Sequence, residues 1–325
     1  EWQRQNNNFT PIISKEISTS NGHVLQLGVD DDVIYEIPKG KERTTEKLRN
    51  EFIRICSEIR KKDGLPQVNH PFDVSFSTRY NSEFWDMVEI FESMEIWNGA
   101  TPFAAGTINA KAFKKWLSLL DEGKRLTATT GSDTHNIYGD DYFGMTEWLD
   151  WLMDIVMKHP EIYPVHMNEN VAYLTWLYNK VWPRLLSWVE QSNTPSTIHN
   201  YVYTNGKNQP QEILQAIREG HSFISNGPLV TAEVHGVSYG EKAVLKDRTG
   251  TLSVHVFSKK PINHLWMYTG ADKKVELCAK ADAAEGGFMY DIAADELDFG
   301  DAAWVLFVAD GGENNLAISN PILFA

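Results

Sequence analysis

The order of secondary-structure patterns along the chain restricts its fold more than any other feature of the sequence. Up to about residue 139, short apolar runs alternate with amphipathic helical patterns, such as the one over residues 44–62. From Leu229 onward, short runs of alternating apolar and polar residues are separated by Gly, Asp and Asn turns. The first pattern predicts parallel β/α units, and the second predicts an antiparallel β-sandwich.

We therefore predict an α/β barrel followed by a β-sandwich domain, with the boundary at Gly227 and Pro228, where proline stops a strand and glycine permits a sharp turn. A chain of 325 residues with 42% hydrophobic residues is long enough for two such cores. The predicted segments are the later barrel strands (1–139), an aromatic helical insertion (140–199), a last barrel strand and helix (200–227) and the β-sandwich (228–325).

The predicted insertion is the most aromatic part of the chain. It has helical patterns over about 146–158 and 168–191. Two interpretations are open: the insertion packs on the barrel as an ordinary helical segment, or it forms a lid, because it directly follows Asp133 and His135. Its few basic residues disfavour a membrane-surface role. The five tryptophans are Trp148, Trp151, Trp176, Trp182 and Trp188.

Carboxylates and histidines lie at the ends of several predicted strands. Asp133 and His135 follow the run at residues 126–129 and are two positions apart, so a strand would direct both side chains to one face. His70 ends a predicted strand because Pro71 follows it, and Glu16 ends another. Since the carboxyl ends of parallel barrel strands meet at one face, these four residues predict a metal centre there.

Two weaker candidates accompany them. Glu95 closes a predicted strand at residues 93–99, and His23 lies on a predicted strand at 22–28. Each candidate also has a structural interpretation: a buried histidine hydrogen-bonded to the backbone, or a carboxylate paired with a cation such as Lys15. The strand end at Glu95 can instead shape a substrate pocket through Trp97 and Asn98, and His23 can be a core histidine or one that supports the ligands.

These motifs together resemble the later motifs of the PHP (polymerase and histidinol phosphatase) metallohydrolase superfamily. Residues 201–204, 211–220, 222–228 and 317–322 are similar to its carbaryl-hydrolase and microcin-maturation branch, so the resemblance covers most of the chain outside residues 140–199. The motifs that carry it are Glu16-Ile17-Ser18-Thr19 with Gly22-His23, Asn69-His70-Pro71, Glu95-Ile96-Trp97-Asn98-Gly99 and Gly131-Ser132-Asp133-Thr134-His135.

The resemblance implies a PHP-type barrel that holds two or three divalent ions, with zinc, manganese and iron all suited to mixed nitrogen and oxygen ligands. Metal-activated water would hydrolyse a phosphoester, ester or amide bond of a small-molecule substrate, without a protein nucleophile. Glu16, His70, Asp133 and His135 would be the catalytic ligands, and Glu95 and His23 further candidates.

The chain also departs from the family. PHP enzymes open with a His-x-His motif and an Asp-His or related pair on the first two strands, and nothing before Glu16 supplies them. The chain is then either a fragment of a longer protein, which the start at Glu1 favours, or a degenerate relative. We expect it to be inactive or weakly active by itself. The alternative function is a non-catalytic, PHP-like binding module that contacts carbohydrate or protein.

Charge and composition restrict the partners. A net charge of −14 argues against nucleic acid, because binding to phosphates requires clustered Lys and Arg. Two cysteines in different predicted domains, Cys56 and Cys278, make a disulfide framework unexpected. The sequence has no run of about 18 apolar residues, so we expect a soluble chain without a membrane span, and any signal peptide would precede Glu1. Neither the compartment nor the oligomeric state follows from the sequence.

Overall fold

The computed structural model shows mixed α/β structure that is rich in sheet, and its described residues form no closed barrel. Most of the predicted insertion, together with His135 and Cys278, lies outside the described residues. Where the structure describes the chain, no helix has the length and apolarity needed to cross a membrane. The described residues are 10–19, 22–35, 44–73, 80, 82–99, 103–133, 198–277, 281–312 and 315–325.

The chain divides into two compact units. The first unit comprises residues 1–97, 102–130 and 198–325, and the second comprises residues 98–101 and 131–197. Every sheet described below lies in the first unit, apart from Asn98 and Gly131, each of which is the last residue of a strand. Of the second unit, the structure describes residues 98–99 and 131–133.

The N-terminal part forms a five-stranded sheet in sequence order. The first three strands are antiparallel, and the third and fourth are parallel. This corrects the expectation that Glu16 ends a parallel strand, because only two residues separate the first two strands and a parallel crossover needs a dozen or more. The strands are β1 (Ser14–Thr19), β2 (Gly22–Leu27), β3 (Leu65–Asn69), β4 (Ser93–Asn98) and β5 (Thr127–Gly131).

Helices cover this sheet as their apolar spacing predicts. Helix α1 (Thr45–Lys61) begins where the Thr44 side chain accepts a hydrogen bond from the Lys47 amide, and it ends with Arg60 and Lys61 in its last turn. Its buried side chains recur at the three- and four-residue spacing of one helix face: Leu48, Phe52, Ile55, Cys56 and Ile59. The other described helical segments are a 3₁₀ helix (Ser82–Ile90), α2 (Ile108–Asp121) and α3 (Pro210–Glu219).

The C-terminal part forms two further sheets. The smaller sheet is antiparallel, with the strand order β13 (Ala281–Ala284), β14 (Gly287–Asp298), β10 (Thr249–Ser258) and β8 (Leu229–Val234). The larger sheet has eight strands, and all of its pairs are antiparallel except β9 with β17. Its strands are β6 (His199–Val202), β7 (Ser222–Ser225), β9 (Lys242–Ala243), β11 (His264–Gly270), β12 (Lys273–Glu276), β15 (Trp304–Asp310), β16 (Leu316–Ser319) and β17 (Ile322–Phe324).

Residues 200–227 differ from the sequence prediction. Strands β6 and β7 pair with each other, and β7 pairs with β16, so this segment supplies two strands to the larger sheet and none to the five-stranded sheet. All four residues of β7 are buried. A short strand that is buried on both faces has the same apolar pattern in either kind of sheet, so the sequence did not distinguish them.

The central strands of the larger sheet, β7, β15 and β16, are buried on both faces. Alternate side chains of β15 point in opposite directions, and Leu306 packs with the core of the N-terminal sheet while Phe307 packs with the core of the smaller sheet. The sequence predicts a separate core for the sandwich, but Trp304, Leu306 and Val308 of β15 belong to the N-terminal core. The three sheets therefore form one continuous packed body.

Candidate metal centre

Strand register brings two polar side chains together on the hairpin formed by β1 and β2. Ser18 lies opposite His23, and His23 lies opposite Asn69 on β3. Glu16 is two residues before Ser18, so its side chain emerges on the same face of the sheet as His23. His70 directly follows β3 and lies beside both.

Glu16, His23 and His70 form a compact group. The Glu16 Oε1 atom lies 3.1 Å from His70 Nε2, and its Oε2 atom lies 3.3 Å from His23 Nδ1. One potential ligand atom from each residue lies within 4.8 Å of the other two, and the two imidazole rings meet edge to face with their centroids 5.0 Å apart. Both carboxylate oxygens therefore face an imidazole nitrogen.

These separations fit one metal ion. With metal–ligand bonds of about 2.1 Å, two ligand atoms of a tetrahedral or octahedral ion lie about 3.0–3.4 Å apart. The His23 Nδ1 atom is buried and has no hydrogen-bond partner among the described residues, although it lies 3.3 Å from Glu16 Oε2. A buried nitrogen without a hydrogen bond is costly unless something else binds it, and a cation beside a carboxylate would do so.

The group is open on one side. The His70 side chain is 3% exposed, His23 is 16% exposed and Glu16 is 25% exposed. His70 is thus buried, whereas His23 and Glu16 are partly exposed to water. This pattern is typical of catalytic metal sites, which combine three protein ligands with a position left for water or substrate.

Local interactions keep Glu16 ionised. Burial by itself raises the pKa of the Glu16 carboxyl group, but the neighbouring His23, His70 and Asn69 side chains outweigh burial and hold its pKa well below the usual range. The carboxyl group is therefore a carboxylate at neutral pH. A negative charge next to two imidazoles suits a divalent cation.

A chain of buried polar side chains orients this carboxylate. Asn69 Nδ2 donates to Glu16 Oε1 over 2.7 Å, and Asn69 Oδ1 accepts from Gln67 Nε2 over 2.9 Å. Gln67 Oε1 in turn accepts from the hydroxyls of Ser93 and Thr129 at 3.1 and 2.9 Å. Each amide group can therefore adopt only one orientation, and this fixes the donor that Asn69 presents to Glu16.

Glu95 contacts the group through the backbone of His70. Its side chain is buried on β4, and Oε2 accepts a hydrogen bond of 2.6 Å from the backbone N–H of His70. The His70 backbone has φ 23°, which a residue with a side chain rarely adopts. The following Pro71 restricts this backbone further. The predicted metal ligand Glu95 thus holds the strained backbone of His70 and is not a member of the three-residue group.

Tyr80 packs against Gly22 and hydrogen-bonds to the backbone of His23. The fully buried Tyr80 hydroxyl donates to the backbone carbonyl of His23, and burial raises the pKa of this phenol well above its usual value. The Tyr80 ring lies so close to Gly22 that a Cβ atom there would be 2.3 Å from it, and Gly22 has φ 121°. Only glycine fits at this position, which explains the Gly22-His23 pair in the sequence.

Of the other two main predicted ligands, Asp133 alone lies within the described residues. Asp133 belongs to the second unit, follows β5 with φ 52° and accepts a hydrogen bond of 3.2 Å from Asn98 Nδ2. His135 lies outside the described residues. The structure therefore brings together two of the four main predicted ligands, Glu16 and His70, with the weaker candidate His23.

Sequence reasoning missed the orienting residues. Gln67 and Asn69 are two positions apart on the buried strand β3, and both side chains are buried. Two amides at this spacing on a buried strand point to the same face, and buried amides need hydrogen-bond partners. Their spacing could therefore have predicted a polar network.

Comparisons with family models, with curated proteins and with solved structures find no match to this chain.

Proposed function

We propose that the chain carries the metal centre of a metal-dependent hydrolase, with Glu16, His23 and His70 as ligands. The observation that carries the proposal is the buried His23 Nδ1 atom, which has no hydrogen-bond partner among the described residues and lies 3.3 Å from Glu16 Oε2. The other oxygen of this carboxylate, Oε1, lies 3.1 Å from His70 Nε2. Two imidazoles and one carboxylate form a ligand set of catalytic zinc and non-haem iron sites.

Each residue has a defined part in this proposal. The ionised Glu16 neutralises a cation, the two histidines bind as neutral donors, and Asn69 and Glu95 hold Glu16 and His70 in place. A zinc, manganese or iron ion bound here would lower the pKa of a coordinated water and polarise the substrate's phosphoryl or carbonyl oxygen. The proposed reaction is therefore hydrolysis of a phosphoester, ester or amide bond in a small molecule.

The PHP resemblance extends the proposal. It adds Asp133 and His135 as further ligands and raises the number of ions to two or three. On this view the chain alone has weak activity, whereas the three grouped residues still bind one ion.

The proposal is tested by metal analysis and kinetics on the same samples. Zinc, manganese and, without oxygen, ferrous iron are titrated into metal-free protein, and hydrolysis of bis(4-nitrophenyl) phosphate and 4-nitrophenyl acetate is then measured. We expect about one tightly bound ion and chelator-sensitive hydrolysis. The variants Glu16→Gln and His23→Gln should lower metal affinity by at least about tenfold.

The control variant is His221→Gln, because His221 Nδ1 lies 3.5 Å from Glu219 in a similar imidazole–carboxylate pair away from the centre. It should bind metal as the wild type does. Tight metal without hydrolysis would favour the alternative, a non-catalytic PHP-like binding module. Affinity that is unchanged in Glu16→Gln would contradict the site itself.

A further inference from the structure

A second arrangement of reactive side chains lies on the outer face of the smaller sheet, far along the chain from the metal centre. Ser253 Oγ lies 3.0 Å from His255 Nε2, and His255 Nδ1 lies 2.5 Å from Asp291 Oδ1. Both imidazole nitrogens of His255 are thus occupied, one by a hydroxyl and the other by a carboxylate.

The chemistry of the partners fixes the direction of these hydrogen bonds. An ionised carboxylate only accepts, so His255 Nδ1 must carry the proton and donate to Asp291. In the neutral imidazole, Nε2 then has a lone pair that accepts the Ser253 hydroxyl proton. This is the tautomer and connectivity that a histidine needs to act as a general base toward a serine.

The sheet register produces the arrangement. Ser253 and His255 are two positions apart on β10, so they point to the same face, and Asp291 lies directly opposite His255 on the neighbouring strand β14. On the other side of β10, Glu233 of β8 lies opposite Ser253. Backbone pairing on both sides therefore holds the three groups in place without a loop.

The serine and the histidine line a pocket of about 340 Å³. This volume falls within the range of small-molecule sites, about 300–1,000 Å³. Tyr203 and Tyr239 add aromatic surface, Glu233 and Glu241 add carboxylates, and none of the described residues that line the pocket is Lys or Arg. The pocket therefore favours a ligand that is apolar in part and positively charged.

We propose that Ser253, His255 and Asp291 form the nucleophile, base and orienting acid of an esterase site for small cationic esters. Ser253 Oγ bonds to the ester carbonyl carbon while its proton passes to His255 Nε2. The ester C–O bond then breaks, and that proton goes to the leaving alcohol. Water attacks the acyl-serine, returns one proton through His255 to Ser253, and releases the carboxylic acid.

The exposure of the site sets its expected reactivity. The His255 and Asp291 side chains are each 55% exposed, so solvent weakens the interaction that orients the imidazole. We therefore expect Ser253 to be acylated by activated esters and phosphonylated by fluorophosphonates, with loss of fluoride. We expect no acylation by amides, whose leaving groups are much poorer.

The chain provides a matched control in His264. Its Nδ1 atom lies 2.6 Å from Glu276 Oε1 across β11 and β12, and the two side chains are 46% and 47% exposed. In the part of the chain that the structure describes, no serine hydrogen-bonds to this imidazole. His264→Gln thus removes a cross-strand pair of the same kind but not the proposed base.

The test is labelling of the full chain with a fluorophosphonate in the presence of a chelator, followed by peptide mass spectrometry. We expect the label on Ser253, with a rate at least about 100-fold lower in His255→Gln and unchanged in His264→Gln. Asp291→Asn should also slow labelling, because it permits the wrong imidazole tautomer. The chelator separates this result from the fate of the proposed metal-dependent hydrolase.

Substrate preference is tested with acetylthiocholine and its neutral isostere, 3,3-dimethylbutyl thioacetate. We expect the cationic ester to be hydrolysed faster, and Glu233→Gln to abolish the difference. The proposal is overturned if Ser253 is not labelled, if His255→Gln and His264→Gln label alike, or if Ser253→Ala hydrolyses the esters as fast as the wild type.

Discussion

At the scale of single residues, the metal centre could be predicted only in part. Glu16 and His70 were recognisable because each lies in a motif at the end of a predicted strand, whereas His23 ranked lower because the strands were expected to be parallel. In the structure the antiparallel pairing of β1 and β2 places His23 beside Glu16. Glu95 was recognised as a functional candidate, but the structure shows that it accepts the His70 backbone N–H. A carboxylate that binds metal and one that holds a backbone have the same sequence pattern.

The Asn69 amide is expected to orient Glu16, the proposed metal ligand. In Asn69→Ala the carboxylate loses its 2.7 Å hydrogen bond, and metal affinity should fall by about 10–100-fold in calorimetric titration. Gln26→Ala is the control, because Gln26 is also a buried amide of this sheet but donates to the carbonyls of Val29 and Asp31. Equal loss of metal affinity in both variants would indicate a general effect of destabilisation.

Ionisation of Glu16 is expected to make stability depend on pH. The pKa of Glu16 is lowered from its ordinary value of 4.5 in the folded state, so ionised Glu16 stabilises the fold fully above pH 4.5. This stabilisation is lost as the pH falls from 4.5 toward the folded-state pKa. Urea unfolding of the metal-free wild type and of Glu16→Gln at pH 7, 5 and 3 measures it. The wild type's advantage should be largest at pH 7 and shrink below pH 4.5; an advantage that grows with acid would refute the assigned direction.

At the scale of elements, two asparagine side chains complete the edge of β5. The Asn320 amide exchanges hydrogen bonds with the backbone of Ala128 and also donates to Ser222, while the Asn200 amide exchanges hydrogen bonds with the backbone of Thr130. These amides occupy the positions where a further barrel strand was expected. The helices and most strands could be predicted because their periodicity is local, but the partner of β7 depends on contacts distant in sequence.

Loss of the Asn320 amide should therefore be costly. Asn320 is fully buried, and Asn320→Ala leaves the Ala128 N–H and C=O groups without these partners. We expect the free energy of unfolding to fall by about 2–4 kcal/mol in urea titration. Asn208→Ala, which removes an exposed hydrogen bond to Thr204, should change it by less than about 0.5 kcal/mol. Similar small effects in both variants would show that the edge of β5 does not depend on the amide.

At the scale of the whole molecule, the larger sheet lies between two cores, so the predicted separate sandwich domain is not what the structure shows. Strand β15 contributes Leu306 to the N-terminal core and the adjacent Phe307 to the core of the smaller sheet. The alternation of apolar residues predicted the strand, but a strand that is apolar on both faces does not reveal what covers each face.

Unfolding of this body should therefore be one cooperative transition. Leu306→Ala and Phe307→Ala each remove a fully buried side chain, and both should lower the same transition by about 2–5 kcal/mol. Urea unfolding followed by circular dichroism, with hydrogen exchange of β3 and β10 as a second measurement, checks this. Two transitions, each shifted by only one variant, would instead indicate independent domains.

The central claim is that Glu16, His23 and His70 bind one metal ion. X-ray absorption at the zinc edge, on the chain loaded with one equivalent of zinc, tests it most directly. We expect two imidazoles and at least one oxygen at about 2.0–2.1 Å, with one imidazole lost in His23→Gln. A shell of oxygen atoms alone, or a spectrum that is the same in the wild type and in His23→Gln, would contradict the claim.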